Sequence, residues 1–143
     1  MKKIYASLLL LLALIPGHLL AACENTIEVN ESEPGTWEAS CTSENNPGAY
    51  AKYYTFTLAN SREITIDLAS SKDTLLFLLS GAGKTGTVIE EDDDGGSGSN
   101  SKITRTLAAG SYTVEATTYG DSVTGTFNVS VISTTTPSED CFN

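Results

Sequence analysis

From Tyr50 onward, apolar and polar positions alternate. Tyr54, Phe56 and Leu58 interleave with Thr55, Thr57 and Ala59, and Ile64, Ile66 and Leu68 with Thr65 and Asp67. A period of two puts one set on a buried face and the other toward water, so each segment predicts a half-buried strand. Asn60-Ser61-Arg62 between them predicts a hairpin loop. Asp73-Thr74 then opens Leu75-Leu76-Phe77-Leu78-Leu79, which does not alternate. A short unbroken apolar run predicts a strand covered on both faces. Val88-Ile89 leads into an acidic loop, Glu90 to Asn100. Beyond it, Ile103 and, out of phase, Leu107 mark a strand. Tyr112, Val114 and Ala116 alternate with Thr113, Glu115 and Thr117, and Phe127, Val129 and Val131 with Asn128, Ser130 and Ile132.

Upstream of Tyr50 the pattern is sparser. Ile27 and Val29 predict a short first strand, and Trp37 and Cys41 anchor the next. Pro34-Gly35, Asn45-Asn46-Pro47-Gly48 and Tyr119-Gly120-Asp121 are turn signals. About eight strands with turns between them and no amphipathic helix predict an all-β sandwich or barrel.

The first residues follow a different rule. Lys2 and Lys3 precede an almost wholly apolar run, Ile4 to Ile15, broken by Pro16-Gly17. The run is short for a membrane span, so residues 1–22 predict a cleaved secretory signal. Leu20-Ala21-Ala22-Cys23 resembles a bacterial lipobox, which predicts lipidation of Cys23. Plain cleavage beside Ala22 is the alternative, for which Leu20 is a poor small residue. The protein is therefore expected to be exported, either lipid-anchored in the cell envelope or secreted. What remains divides into an acidic, turn-rich segment over 23–49, a regular β domain over 50–132 and a polar tail over 133–143. That length suits one monomeric domain with a usable core.

Charge narrows the partners. The chain carries 18 acids against 8 bases, a net charge of −10. The leader takes Lys2, Lys3 and the only histidine, His18, so the mature chain is two charges more negative. Such a surface repels phosphate backbones and anionic lipid, which excludes nucleic acid and leaves a lipid anchor as the only membrane contact. Without histidine, imidazole-based nucleophile activation and His metal ligation are unavailable. Carboxylates are spread so widely that no pair singles itself out for glycoside hydrolysis, and no enzyme is predicted. Gly81-Ala82-Gly83-Lys84-Thr85 looks like the end of a P-loop, but Leu78 stands where the first glycine belongs. A turn is the better reading.

Three cysteines, Cys23, Cys41 and Cys141, are an odd number for an oxidising compartment. With Cys23 lipidated, Cys41 and Cys141 are left to pair and tie the tail to the body. A Cys23–Cys41 bridge, with Cys141 free or joined to another chain, is the other pairing.

The acidic loop is the chemically distinctive stretch. Calcium takes several oxygen ligands on a backbone that turns sharply. Asp92, Asp93, Asp94 and Asn100 supply the oxygens, and Gly95-Gly96 the turn. The spacing is not that of an EF-hand, since position one is Glu90 and position twelve is Ser101. A solvated acidic turn that discourages strand pairing is the competing account. Trp37 is expected to fill the core, while Tyr50 and Tyr119, beside turns, are candidate contacts for a ligand.

Several blocks together resemble the bacterial pre-peptidase C-terminal domain. They are Tyr53-Tyr54-Thr55-Phe56-Thr57-Leu58, Ile64-Thr65-Ile66-Asp67-Leu68, Asp73-Thr74-Leu75-Leu76-Phe77-Leu78, Asp92-Asp93-Asp94-Gly95-Gly96, Leu107-Ala108-Ala109-Gly110-Ser111-Tyr112-Thr113-Val114 and Gly125-Thr126-Phe127-Asn128-Val129-Ser130-Val131. The likeness spans about residues 50–132. It implies a jelly-roll-like antiparallel β-sandwich and a non-catalytic module of the kind appended to exported enzymes. Some such modules bind collagen or polysaccharide, and the similar clostridial collagen-binding modules bind calcium. The resemblance also adds Asp73 to the expected ligand set. The function implied is a calcium-stabilised module that binds an extracellular protein or polysaccharide. The alternative is a structural envelope lipoprotein with neither metal nor soluble ligand.

Overall fold

Nine strands and no helix make up residues 22–133, the part of the chain described by the computed structural model. The expected leader, apart from Ala22, and Cys141 in the tail lie outside the described residues. The strands are β1 (Glu24–Thr26), β2 (Glu31–Trp37), β3 (Lys52–Leu58), β4 (Arg62–Ser70), β5 (Thr74–Ser80), β6 (Thr87–Asp92), β7 (Ser101–Leu107), β8 (Gly110–Thr118) and β9 (Gly125–Ser133). One sheet runs β1-β3-β8-β5-β6 and the other β2-β9-β4-β7. Every neighbouring pair is antiparallel except β1 and β3.

Alternation sets what each sheet buries. Tyr54, Phe56, Leu58, Val114 and Ala116 from the first sheet meet Ile64, Ile66, Leu68, Ile103, Phe127, Val129 and Val131 from the second. Leu76 and Leu78 of β5 join this core. The other face of β5 is covered too, as its unbroken apolar run predicts: Phe77 is 5% and Leu79 0% exposed. Loops cover that outer face. The Gly83 amide, in the β5–β6 turn, donates to the Thr55 and Thr113 hydroxyls at 3.2 and 2.9 Å.

Four expectations give way here. Pro34-Gly35 is not a turn but the middle of β2, an edge strand, where a residue without an N–H is tolerated. A Cβ at Gly35 would lie 2.1 Å from the Phe127 ring and 2.6 Å from the Tyr54 hydroxyl. The β2 backbone closes over that ring only because Gly35 has no side chain. Asn60-Ser61-Arg62 does not close a hairpin, because β3 and β4 lie in different sheets and the turn carries the chain between layers. Among the described residues only β5 and β6 are consecutive strands that pair with each other. Glu90, Glu91 and Asp92 belong to edge strand β6, so the acidic loop proper begins at Asp93.

The fourth correction concerns sulfur. Cys41 pairs with Cys23, not with Cys141, across a Cα separation of 5.4 Å. Both cysteines are drawn to the start of β3: the Tyr53 amide donates to the Cys23 carbonyl at 2.8 Å, and the Ala51 amide to the Cys41 carbonyl at 2.9 Å. A sulfur held in a disulfide cannot carry a thioether-linked lipid, so this bridge also displaces the lipidation expected at Cys23.

Candidate metal centre

Two crossovers meet at one end of the sandwich. Residues 71–73 pass from β4 to β5 between the sheets, and residues 93–100 pass back from β6 to β7. Small polar groups stitch them together. The Thr74 amide donates to the Ser99 carbonyl at 3.1 Å, the Thr74 and Ser101 hydroxyls lie 2.7 Å apart, and Ser101 Oγ donates to the Asp93 carbonyl at 2.6 Å. Asn100 Oδ1 accepts the Ser70 amide at 3.0 Å. Asp92 Oδ2 accepts the Gly95 and Lys102 amides, both at 2.8 Å. An aspartate that bonds amides further along its own chain bends the backbone into a turn.

This stitching brings Asp73, Asp93 and Asp94 together. One carboxylate oxygen from each lies within 4.8 Å of the others. Asp73 and Asp94 are exposed and Asp93 is half-buried. Asp93 Oδ1 is buried and has no hydrogen-bond partner. Burial, and then the charges of Asp94, Asp73 and Asp92, raise the Asp93 pKa above the usual carboxylate range. Among the described residues, no ion pair engages these three carboxylates. An acceptor without a donor, set among like charges, is the situation that a cation relieves. A donor set made only of oxygen suits a hard divalent ion.

Of the five expected ligands, three converge and two do not. Asp92 and Asn100 spend the oxygens named above on shaping and docking the loop. The two tyrosines also separate. Tyr119 is 62% exposed, and its amide donates to the Asp73 carbonyl at 3.1 Å, which sets it beside the carboxylates. Tyr50 is half-buried and packs against the core, so it is not the open platform expected.

The alternation rule misplaced the polar face of β8, where Thr113, Glu115 and Thr117 are all buried. Glu115 should face water, yet it is 0% exposed. The segment after Cys41 folds over it and supplies donors: Ser43 Oγ and the Asn45 amide to Oε1, and the Asn45 side chain to Oε2. Tyr53 lies alongside, and burial together with the Glu115 charge pushes its pKa above the ordinary tyrosine value. The run of Ser and Asn residues at 43, 45 and 46 is the sequence signal for such an anchor. Glu115 holds a loop and faces no groove, so it is structural.

Residues 50–118 match the family model for the bacterial pre-peptidase C-terminal domain. Among solved structures, the pre-peptidase C-terminal domain of a collagenase from Bacillus anthracis is similar, with 18% identity and a TM-score of 0.58 over 76% of this chain and 93% of that one. A periplasmic inhibitor of g-type lysozyme from Aeromonas hydrophila aligns at 13% identity and a TM-score of 0.48, over 76% and 96%. No curated protein matches the chain. The first likeness is one of fold.

Proposed function

We propose that this chain, whose residues 50–118 match the family model for the bacterial pre-peptidase C-terminal domain, is an exported, non-enzymatic β-sandwich module. Calcium stabilises it, and it binds an extracellular protein or polysaccharide. The observation that carries the calcium reading is the buried, unpartnered Asp93 Oδ1 beside Asp73 and Asp94. These three residues would hold the ion. Bound there, it fastens the two crossovers and cancels repulsion that the loop otherwise carries. The exposed Tyr119 ring beside the site is available to a partner. The Cys23–Cys41 disulfide counts against the structural-lipoprotein alternative, which needs the Cys23 sulfur for its anchor.

Calorimetric titration of the mature chain with calcium tests the reading, with Asp73→Asn as the control. Saturable heat that the substitution abolishes is expected. No heat, together with identical melting curves in calcium and in EDTA, would overturn it.

A further inference from the structure

A groove of about 1000 Å³ opens away from the acidic crossovers. It lies between β1 and β2, the edge strands of the two sheets, and the β5–β6 turn forms one of its walls. That turn follows Ser80, at the opposite end of β5 from Asp73. Glu24 and Thr26 of β1, Glu33 and Pro34 of β2, Tyr54 of β3 and Lys84 of the turn line it.

One wall is an unpaired strand edge. The Tyr53 amide donates to the Cys23 carbonyl, and the Ile27 amide to the Thr55 carbonyl at 3.0 Å. In a parallel ladder this register turns the main-chain groups of Asn25 toward β3 and those of Glu24 and Thr26 away from it. No described strand pairs with that outward side. β2 does not, because it belongs to the other sheet.

The groove is also acidic. Glu24 Oε1 accepts the Lys84 amide at 2.8 Å, which fixes its carboxylate in the wall. The Lys84 ammonium is turned to Glu44 at 2.9 Å. Glu33 has no ion-pair partner among the described residues. Burial and the Glu33 charge push the Tyr54 hydroxyl up to about 12, so it is a protonated donor at neutral pH.

We propose that this groove binds an extended, basic peptide segment, which adds to β1 as a further strand. The outward main-chain groups of Glu24 and Thr26 pair with the incoming backbone, and Glu24 and Glu33 receive a Lys or Arg side chain. A sugar fits poorly. Tyr54, the aromatic residue lining the groove, is 4% exposed and packs edge-on against Phe127 at 6.2 Å, so it presents no face for stacking. The inference rests on the reading that the module binds a macromolecule, and is independent of calcium.

The test titrates the isotope-labelled mature chain, in calcium and in EDTA, with a short peptide of alternating lysine and valine. The same peptide N-methylated at alternate residues, cellohexaose and chitohexaose are the comparison probes. The expected result is a shift of the Glu24, Thr26 and Lys84 amide signals by the unmodified peptide in both buffers. N-methylation, Glu33→Lys and Thr26→Pro should each weaken binding by roughly tenfold or more. Thr26→Pro removes an outward amide without touching the β1–β3 ladder, so it remains informative if Glu33→Lys fails to fold. Equal binding of the N-methylated peptide would reduce the groove to charge attraction and overturn the proposal, as would groove shifts caused by an oligosaccharide. Shifts confined to the Tyr119 end would keep the binding reading and overturn the groove. No shift with any probe would overturn both.

Discussion

Trp37 on β2 donates its indole N–H to the carbonyl of Ala116 on β8, in the opposite sheet, at 2.9 Å. The ring is 1% exposed, and its centroid lies 4.5 Å from that of Phe127. One side chain therefore supplies apolar bulk and a polar tie between layers. Trp37→Phe keeps most of the bulk and loses the tie, and should cost about 1–3 kcal/mol. Trp37→Ala also opens a cavity and should cost about 3–5 kcal/mol. Urea unfolding followed by circular dichroism measures both, and an unchanged stability in Trp37→Phe would refute the separate polar contribution.

The metal site makes a prediction with a definite sign. The Asp93 pKa is raised in the folded state. Its penalty is therefore present above the folded pKa and relieved as pH falls through it. In EDTA, acidification through this range should remove a destabilising contribution, and Asp93→Asn should raise the melting temperature. In calcium the sign reverses, because the bound ion holds the carboxylate charged and protons expel it. Calcium at a hundred times its Kd should add about 2.7 kcal/mol, on the order of 10 °C for a domain of this size. Melting curves of both proteins across pH, with and without calcium, check all of this.

The Cys23–Cys41 bridge closes a short loop, with a sequence separation of 18. Constraining the unfolded chain over such a loop contributes about 3 kcal/mol. Cys41→Ser should lose roughly that amount in denaturant unfolding. Peptide mapping without reductant should recover Cys23 and Cys41 in one linked fragment. A fragment linking Cys41 to Cys141 would contradict the pairing.

Tyr53 and Tyr54 resist ionisation for the same leading reason, burial, with Glu115 and Glu33 adding repulsion. Below the ordinary tyrosine pKa neither affects stability. Above it, the unfolded chain ionises while the folded chain does not, so stability should fall as pH rises from about 10 toward the Tyr54 value of about 12. The phenolate absorbance that Tyr53→Phe and Tyr54→Phe remove should then appear together with unfolding rather than before it. Tyr54→Phe should shift that transition to higher pH.

Much of this was legible in the sequence, and the failures are specific. Alternation located β3, β4, β8 and β9 because each has one face in the core. It could not say which strands share a sheet, so the turn after β3 looked like a hairpin. Pro34-Gly35 carries turn composition, but the edge position of β2 accepts the proline and the approach of Phe127 demands the glycine. The cysteine count misled because the lipobox assigned Cys23 elsewhere. Asp93 and Asp94 were readable from loop composition, and Asp73 from family likeness. Asp92 and Asn100 were indistinguishable from them by residue type, since an Asx oxygen serves a backbone amide as readily as a cation. Glu115 was hidden because its burial depends on a loop about 70 positions away, at Ser43 and Asn45.

The chain changes sheet at every connection among the described strands except the one between β5 and β6. β9 sits between β2 and β4, and its register with β2 joins Glu31 to Val131. No subset of early strands can therefore assemble the second sheet, which has to wait for the last segment. Folding should be slow, in the millisecond-to-second range, with most pairings made between distant parts of the chain. A version truncated before Gly125 should leave β2 and β4 as bare edges and behave as an aggregating polypeptide rather than a smaller domain.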